Sequence, residues 1–144
     1  MDSVIDASVA AKWCLPAVQE PLLVEANELL RRQATGGVRF LVPDLFWAEM
    51  GNVLWEAVRA GRCSRQFAES SLGRLKHQQI PTIPCESLID PAFAIAVSYG
   101  RSAYDSIYVA LALEARGQMV TADERLANAW LPVCRLSGSV PCRR

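Results

Sequence analysis

Short apolar segments typical of strands alternate along this chain with longer segments of helical periodicity. The strand-like segments are residues 4–5, 38–42, 80–83, 119–121 and 133–136. The helical segments between them include residues 45–60, 64–79, 86–99 and 104–115. Because strands that are joined through helices pair in parallel, this order predicts an α/β fold with a parallel β-sheet and helices on both faces.

The chain has the length and composition of one packed domain. Its 144 residues are 51% hydrophobic and 21% charged, and they contain no repeat and no linker. We assign residues 1–136 to this domain and residues 137–144 to a C-terminal tail. Fifteen basic residues balance fifteen acidic ones, so a polyanion would have to bind to a local basic surface.

The cysteines and the N-terminal region indicate a cytoplasmic protein. Five cysteines, an odd number without a C-x-x-C pair, favour neither a disulfide framework nor a thiolate zinc site. Charged residues interrupt the first apolar segment, which therefore does not resemble a signal peptide, and no apolar run reaches membrane-spanning length. We expect reduced thiols, a cytoplasmic location and no membrane contact.

Two acidic residues stand where strand-like segments end. Asp6 follows residues 4–5, and Asp123 follows residues 119–121. Each acid can simply cap the helix that begins nearby, and Ser8 or Thr121 can do the same. However, α/β folds bind ligands at the carboxyl ends of their strands, so the two acids can also belong to one site.

Two further acids lie near the starts of helices. Asp105 is in the first turn of its helix, where the helix dipole favours an anion. Glu49 lies in an otherwise apolar stretch with no basic residue within four positions. Four converging carboxylates would raise one another's pKa values unless a hard divalent cation bound between them, which favours Mg²⁺ or Mn²⁺ and phosphodiester chemistry. The single histidine, His77, is more typical of a surface position.

Four segments carry these acids, and they resemble a known family. VIDASVAAKW, PDLFWAEMGNVL, YDSIYVALA and VTADERL are similar, in order and spacing, to the four acidic motifs of PIN domains, most closely those of VapC toxins from bacterial VapBC pairs. The resemblance covers residues 2–136. It implies that the acidic quartet of the family is Asp6, Glu49, Asp105 and Asp123. It also places two hydroxyl residues beside the metal, Ser8 and Thr121.

The resemblance implies a metal-dependent endoribonuclease that acts as the toxin of a type II toxin–antitoxin pair. Such toxins are commonly homodimers, and a VapB-like antitoxin silences them by covering the site. Asp6, Asp105 and Asp123 are expected to hold Mg²⁺ or Mn²⁺ directly or through water, while Glu49 completes the shell or orients the attacking water. Because water attacks without help from the ribose 2′-hydroxyl, we expect a 5′-phosphate and a 3′-hydroxyl.

A run of basic residues in the middle of the chain is the predicted RNA-binding surface. It is opposed locally only by Glu69, and it consists of Arg59, Arg62, Arg65, Arg74 and Lys76. The alternative is an ordinary solvated helix face.

Aromatic residues leave further alternatives open. Tyr99 or Tyr104 can stack on single-stranded bases or can pack inside the protein. The crowding of Trp13, Trp47 and Trp55 is consistent with core packing, a dimer contact or a groove for the antitoxin.

Three rival interpretations come from other classes. A phosphotransfer receiver domain also gathers acids around Mg²⁺, but it needs a pair of adjacent early acids and a late strand-end lysine that this chain lacks. A non-catalytic PIN module would have no reason to keep all four acids. A PIN nuclease for RNA processing, without an antitoxin, is the main alternative, and a short antitoxin-like reading frame immediately upstream would distinguish it from the toxin.

Overall fold

A computed structural model describes residues 1–17, 21–127 and 133–135 of the chain. The predicted tail, residues 137–144, and the last residue of the predicted domain, Leu136, lie outside the described residues. The boundary between domain and tail therefore stays a prediction.

The described chain alternates strands and helices from its first residues. The strands are β1 (Asp2–Ile5), β2 (Arg39–Pro43), β3 (Thr82–Ile83), β4 (Gln118–Thr121) and β5 (Val133–Arg135). The helices are α1 (Ala7–Cys14), α2 (Leu23–Ala34), α3 (Leu45–Arg59), α4 (Arg65–His77), α5 (Cys85–Tyr99), α6 (Ala103–Glu114) and α7 (Glu124–Ala127). The ends of α3 to α6 differ from the predicted ones by at most two residues.

The five strands form one sheet in the order β3-β2-β1-β4-β5, and every pair of neighbours is parallel. Three consecutive residues of β1, Ser3, Val4 and Ile5, are fully buried. Since successive side chains of a strand point to opposite faces, helices must cover both faces of the sheet here. The predicted parallel α/β fold is confirmed. Because β1 and β4 are parallel neighbours, the acids that follow them lie close together at the carboxyl ends of these strands.

Helix α6 is largely buried and carries Asp105 to this end of the sheet. It packs against α5 and against β1, β2 and β4, and residues 106–112 are all buried. Because seven consecutive positions are buried, the sequence of α6 shows no polar stripe along this stretch. Asp105 precedes this buried stretch and is only half-buried.

Two glycines are required by the backbone around α6. Gly100 ends α5 in the left-handed conformation, with φ of 64°, which glycine adopts without strain. A Cβ at Gly117 would collide with the carbonyl of Asp2, so only glycine lets β4 begin this close to β1.

The tryptophans have three different environments. Trp13 stacks on Phe40 and donates a hydrogen bond to the Ala26 carbonyl at 2.9 Å, which is a core role. Trp47 donates a hydrogen bond to the hydroxyl of Thr82 at 3.0 Å and so joins α3 to β3. Trp55 is more than half exposed.

Cys14, Cys63 and Cys85 are free thiols. None of the helices in the described ranges is both long and apolar enough to cross a membrane.

Candidate active site

Asp6 lies at the carboxyl end of β1 with only 8% of its surface exposed. It occupies the N-cap position of α1, yet its side chain makes no capping hydrogen bond. Its Oδ2 instead accepts hydrogen bonds from the hydroxyls of Ser8 and Thr121, each at 2.7 Å. The capping interpretation is therefore wrong for Asp6, and the two predicted hydroxyl residues both contact its carboxylate.

The environment of Asp6 disfavours its negative charge. Burial raises the pKa of this carboxyl above its ordinary value of 3.8, and the nearby charge of Asp105 raises it further. The two hydroxyls and the Ala7 N–H lower the pKa but do not cancel these effects. Asp6 is thus a carboxylate that would gain stability from a cation.

Glu49 lies one turn into α3 and shares this electrostatic environment. Burial first, and then the charges of Asp6 and Asp105, raise its pKa from 4.5 to about 7. The hydroxyl of Tyr108 donates a hydrogen bond to Oε1 of Glu49 at 3.1 Å and partly opposes this rise. Glu49 accepts no other side-chain hydrogen bond within the part of the chain that the structure describes.

Asp105 is held at the start of α6 by the capping of that helix. The Ser102 hydroxyl accepts a hydrogen bond from the Asp105 N–H at 3.2 Å, which fixes the first turn. From this position its charge acts on both Asp6 and Glu49. The structure therefore brings three of the four predicted acids into one electrostatic group.

Asp123 behaves differently from the other three acids. Its carboxylate accepts the N–H of Arg125 at 2.9 Å and pairs with the Arg125 guanidinium at 3.3 Å. Partial burial raises its pKa, but the interactions with Arg125 outweigh burial, so the net pKa lies below the ordinary value. The capping interpretation thus fits Asp123 in this structure. Its link to Asp6 runs through Thr121, whose hydroxyl accepts the Asp123 N–H at 3.0 Å.

A groove of about 690 Å³ opens beside these acids, between α3 and the start of α6. Glu49 and Asp105 line it together with apolar and amide side chains. The full lining is Leu45, Ala48, Glu49, Asn52, Val53, Tyr104 and Asp105. Its volume falls in the range of small-molecule sites, so the groove has room for more than a single water.

The acids fit a hard divalent cation in their chemistry. Asp6, Glu49 and Asp105 offer only oxygen ligands, and their mutual repulsion is the charge pattern that such a cation relieves. In the described ranges, no group of three or more acidic, histidine or cysteine side chains is placed to hold a metal ion. Mg²⁺ does not need one, because it commonly binds through one or two carboxylates and keeps several waters.

The predicted basic run lies at the far end of α3, in the turn that follows and along α4. Arg59 is ten residues beyond Glu49, or about 15 Å along the helix axis, and its guanidinium covers the Trp55 ring. Arg65 pairs with Glu69 at 2.7 Å, and Arg74 donates to the Ser71 hydroxyl at 3.0 Å.

The remaining members of this surface are also placed by the structure. Arg62 lies in the turn between α3 and α4, Lys76 is exposed near the end of α4, and His77 is exposed beside it. The surface position expected for His77 is confirmed.

Two residues of the site were not predicted from the sequence. Tyr108 follows Asp105 by three positions, and Asn52 follows Glu49 by three positions. Residues three apart on a helix share a face, which is a local sign that Asn52 and Tyr108 lie near the acids, but nothing local indicates that Tyr108 contacts Glu49.

Comparisons with known proteins identify the family of this chain. A family model described as PIN domain matches residues 3–130. Ribonuclease VapC3 from Pyrobaculum aerophilum is 30% identical over 130 residues, which cover 89% of this chain and 94% of that protein.

Two solved structures share the fold. The crystal structure of PAE2754 from Pyrobaculum aerophilum aligns with a TM-score of 0.72 and 19% identity, over 94% of this chain and 84% of that one. A toxin–antitoxin complex from Klebsiella pneumoniae aligns with a TM-score of 0.63 and 15% identity, over 94% of this chain and 98% of that one.

Proposed function

This chain belongs to the PIN domain family, and on that basis we propose that it is an endoribonuclease acting as the toxin of a type II toxin–antitoxin pair. The name of its relative, Ribonuclease VapC3, supports hydrolysis of RNA. The single observation that carries the proposal is the group formed by Asp6, Glu49 and Asp105, whose charges destabilise one another beside an open groove. A cluster of carboxylates with no functional role would lower the stability of the fold, and nothing would compensate for that loss.

Asp6, Asp105 and Asp123 would hold Mg²⁺ or Mn²⁺ directly or through water, while Glu49 would orient the attacking water. When bound, the metal polarises a phosphate oxygen and lowers the pKa of water. Asp123 must leave Arg125 to take this role, and it can do so because that pair is largely exposed and weak. Ser8 and Thr121 orient Asp6 through their hydrogen bonds to Oδ2.

Glu49 is the proton acceptor in this proposal. Burial and the charges of Asp6 and Asp105 raise the pKa of Glu49 in the metal-free protein, which makes this carboxylate a better proton acceptor than an exposed glutamate. Tyr108 holds Oε1, which leaves Oε2 to accept the proton of the attacking water. The products are then a 5′-phosphate and a 3′-hydroxyl.

The basic run is the proposed clamp for RNA phosphates. Arg59 lies about 15 Å from Glu49 along the axis of α3, which corresponds to a few nucleotides of an extended strand. Charges there would neutralise phosphates flanking the cleaved bond without entering the acidic site. The surface comprises Arg59, Arg62, Arg65, Arg74 and Lys76.

A VapB-like antitoxin is the proposed protein partner. The Klebsiella pneumoniae structure with this fold is a toxin–antitoxin complex, which supports such a partner here. An antitoxin segment with a short apolar helix and an Arg or Lys would suit the acids, because its cation replaces the charge of the metal. We place both proteins in the cytoplasm, where they meet cellular RNA.

We also propose that the toxin is a homodimer that uses the exposed face of α5. Ile89, Phe93 and Val97 repeat every four residues along this helix and are 42%, 65% and 68% exposed. An apolar helix face of this kind marks a protein contact, and two copies related by a two-fold axis can cover each other's face.

RNA cleavage by the purified protein tests the proposed activity. The wild type should cleave single-stranded RNA with Mg²⁺ or Mn²⁺, should lose activity in EDTA, and should leave 5′-phosphates. The variant Asp6→Asn keeps the shape of the side chain and should be inactive while folded. Equal cleavage by the two proteins would remove Asp6 from the mechanism. A short antitoxin-like reading frame upstream would separate a toxin from a PIN nuclease for RNA processing.

A further inference from the structure

We propose that the groove between α3 and α6 binds the nucleobase next to the cleaved phosphodiester, with Tyr104 stacking on its face and Asn52 reading its edge. This inference rests on the proposed ribonuclease function and adds a binding site for a defined part of the substrate. It selects Tyr104, and not Tyr99, as the stacking residue, because only Tyr104 lines the groove.

The position of the groove determines which part of the RNA can reach it. Tyr104 precedes Asp105 directly in the chain, and Glu49 and Asn52 are one helical turn apart on α3. A phosphate held at the acids therefore has its neighbouring nucleotide beside Tyr104. The groove is continuous with the acidic site, since Glu49 and Asp105 line both.

Tyr104 has the properties of a stacking platform. Its side chain is 67% exposed, and the structure shows no hydrogen bond or ring contact for it within the described residues. A large aromatic ring that is not buried in its own protein, at the mouth of a groove, offers a face on which any base can stack. Leu45 and Val53 supply an apolar lining.

The charge of the groove favours a base over the sugar-phosphate backbone. Its charged lining residues are Glu49 and Asp105, which repel a phosphate that is not bridged by a cation. The uncharged plane of a base avoids this repulsion.

The polar lining also indicates which bases fit. The Asn52 amide nitrogen donates one hydrogen bond to Glu56 at 3.3 Å, which leaves its second N–H and its carbonyl oxygen for the edge of a base. An amide that offers one donor and one acceptor pairs with N7 and the N6 amino group of adenine, so the groove favours adenine over the other bases.

Cleavage kinetics of three exposed-site variants test the stacking. Tyr104→Ala should lower kcat/KM about tenfold or more, because it removes one base–aromatic stack. Tyr104→Phe keeps the aromatic ring and should retain wild-type kcat/KM. Tyr99→Ala is the matched control, because Tyr99 has the same side chain and is 63% exposed but lies outside the groove. It should behave as wild type.

Base selection is tested with RNAs that are identical except for A, C, G or U next to the cleaved bond. Wild type should cleave the A substrate fastest, and Asn52→Ala should remove most of that difference. Wild-type kinetics in Tyr104→Ala, or an equal loss in Tyr99→Ala, would overturn the subsite. Tyr104→Ala that cleaves normally but no longer binds the antitoxin would assign the groove to the antitoxin instead. A wild type that cleaves no RNA would overturn the proposed function itself, whatever the variants do.

Discussion

Replacement of Glu49 by glutamine should stabilise the metal-free protein at alkaline pH. The folded state raises the pKa of Glu49 from 4.5 to about 7, chiefly by burial. Below pH 4.5 both states are protonated and the raised pKa contributes its full stability. As pH rises through about 7, the folded protein must also release the proton, and this stability is lost. The glutamine amide carries no charge at any of these pH values, so the variant escapes that loss.

The expected size follows from the shift. A change from 4.5 to about 7 corresponds to about 3 kcal/mol between the protonation states, and screening of this half-buried side chain by solvent reduces it to roughly 1.5 kcal/mol at pH 8. For a chain of this length that is a rise in Tm of about 4–6 °C. Glutamine can still accept the hydrogen bond from Tyr108, so the comparison of the two proteins does not include the loss of this bond.

Thermal or urea unfolding in EDTA at pH 5 and pH 8 measures this effect. The variant should exceed wild type at pH 8 and approach it at pH 5. Glu56→Gln is the matched control, because Glu56 is exposed on the same helix and its replacement should change stability by less than about 0.5 kcal/mol at either pH. Saturating Mn²⁺ should stabilise wild type more than Glu49→Gln. A variant that is less stable than wild type at pH 8 would refute the electrostatic account of the site.

Three other predictions concern the remaining surfaces. Tyr108→Phe should lower kcat several-fold, leave KM unchanged and shift the acidic limb of the pH–rate profile to higher pH, because it removes a hydrogen bond that lowers the pKa of Glu49. An unchanged pH–rate profile would show that Tyr108 serves only in core packing. Reversal of Arg62 and Arg65 to glutamate should weaken RNA binding and reduce its dependence on salt by about two phosphate contacts, measured by titration between about 50 and 200 mM salt. Phe93→Glu should convert a dimer to a monomer in light scattering, and a monomeric wild type would contradict the α5 interface.

The fold followed from the sequence because its signals are local. Strand-like runs and segments of helical periodicity each depend on a few neighbouring residues, and their alternation allows few arrangements other than a parallel sheet. The two-residue strand β3 shows the limit, since only Thr82 and Ile83 pair within the four residues predicted.

The site followed only in part, because its details depend on residues distant in the chain. Strand-end geometry predicted that Asp6 and Asp123 lie at one edge, but the pairing of Asp123 with Arg125 arises from a turn that the sequence pattern does not specify. Similarly, Asp44 occupies the N-cap position of α3, yet its carboxylate accepts the N–H of Cys85 at the start of α5. The contact of Tyr108 with Glu49 spans 59 positions and has no local signal.

The central claim is that Asp6, Glu49 and Asp105 form the active site of a ribonuclease toxin. Its most direct test maps the 5′ ends of cellular RNA after induction of the wild type and of Asp6→Asn at equal protein levels. The wild type should produce discrete new ends that carry a 5′-monophosphate, and co-expression of the antitoxin should suppress them. The same ends in Asp6→Asn, or no new ends with folded wild-type protein, would contradict the claim.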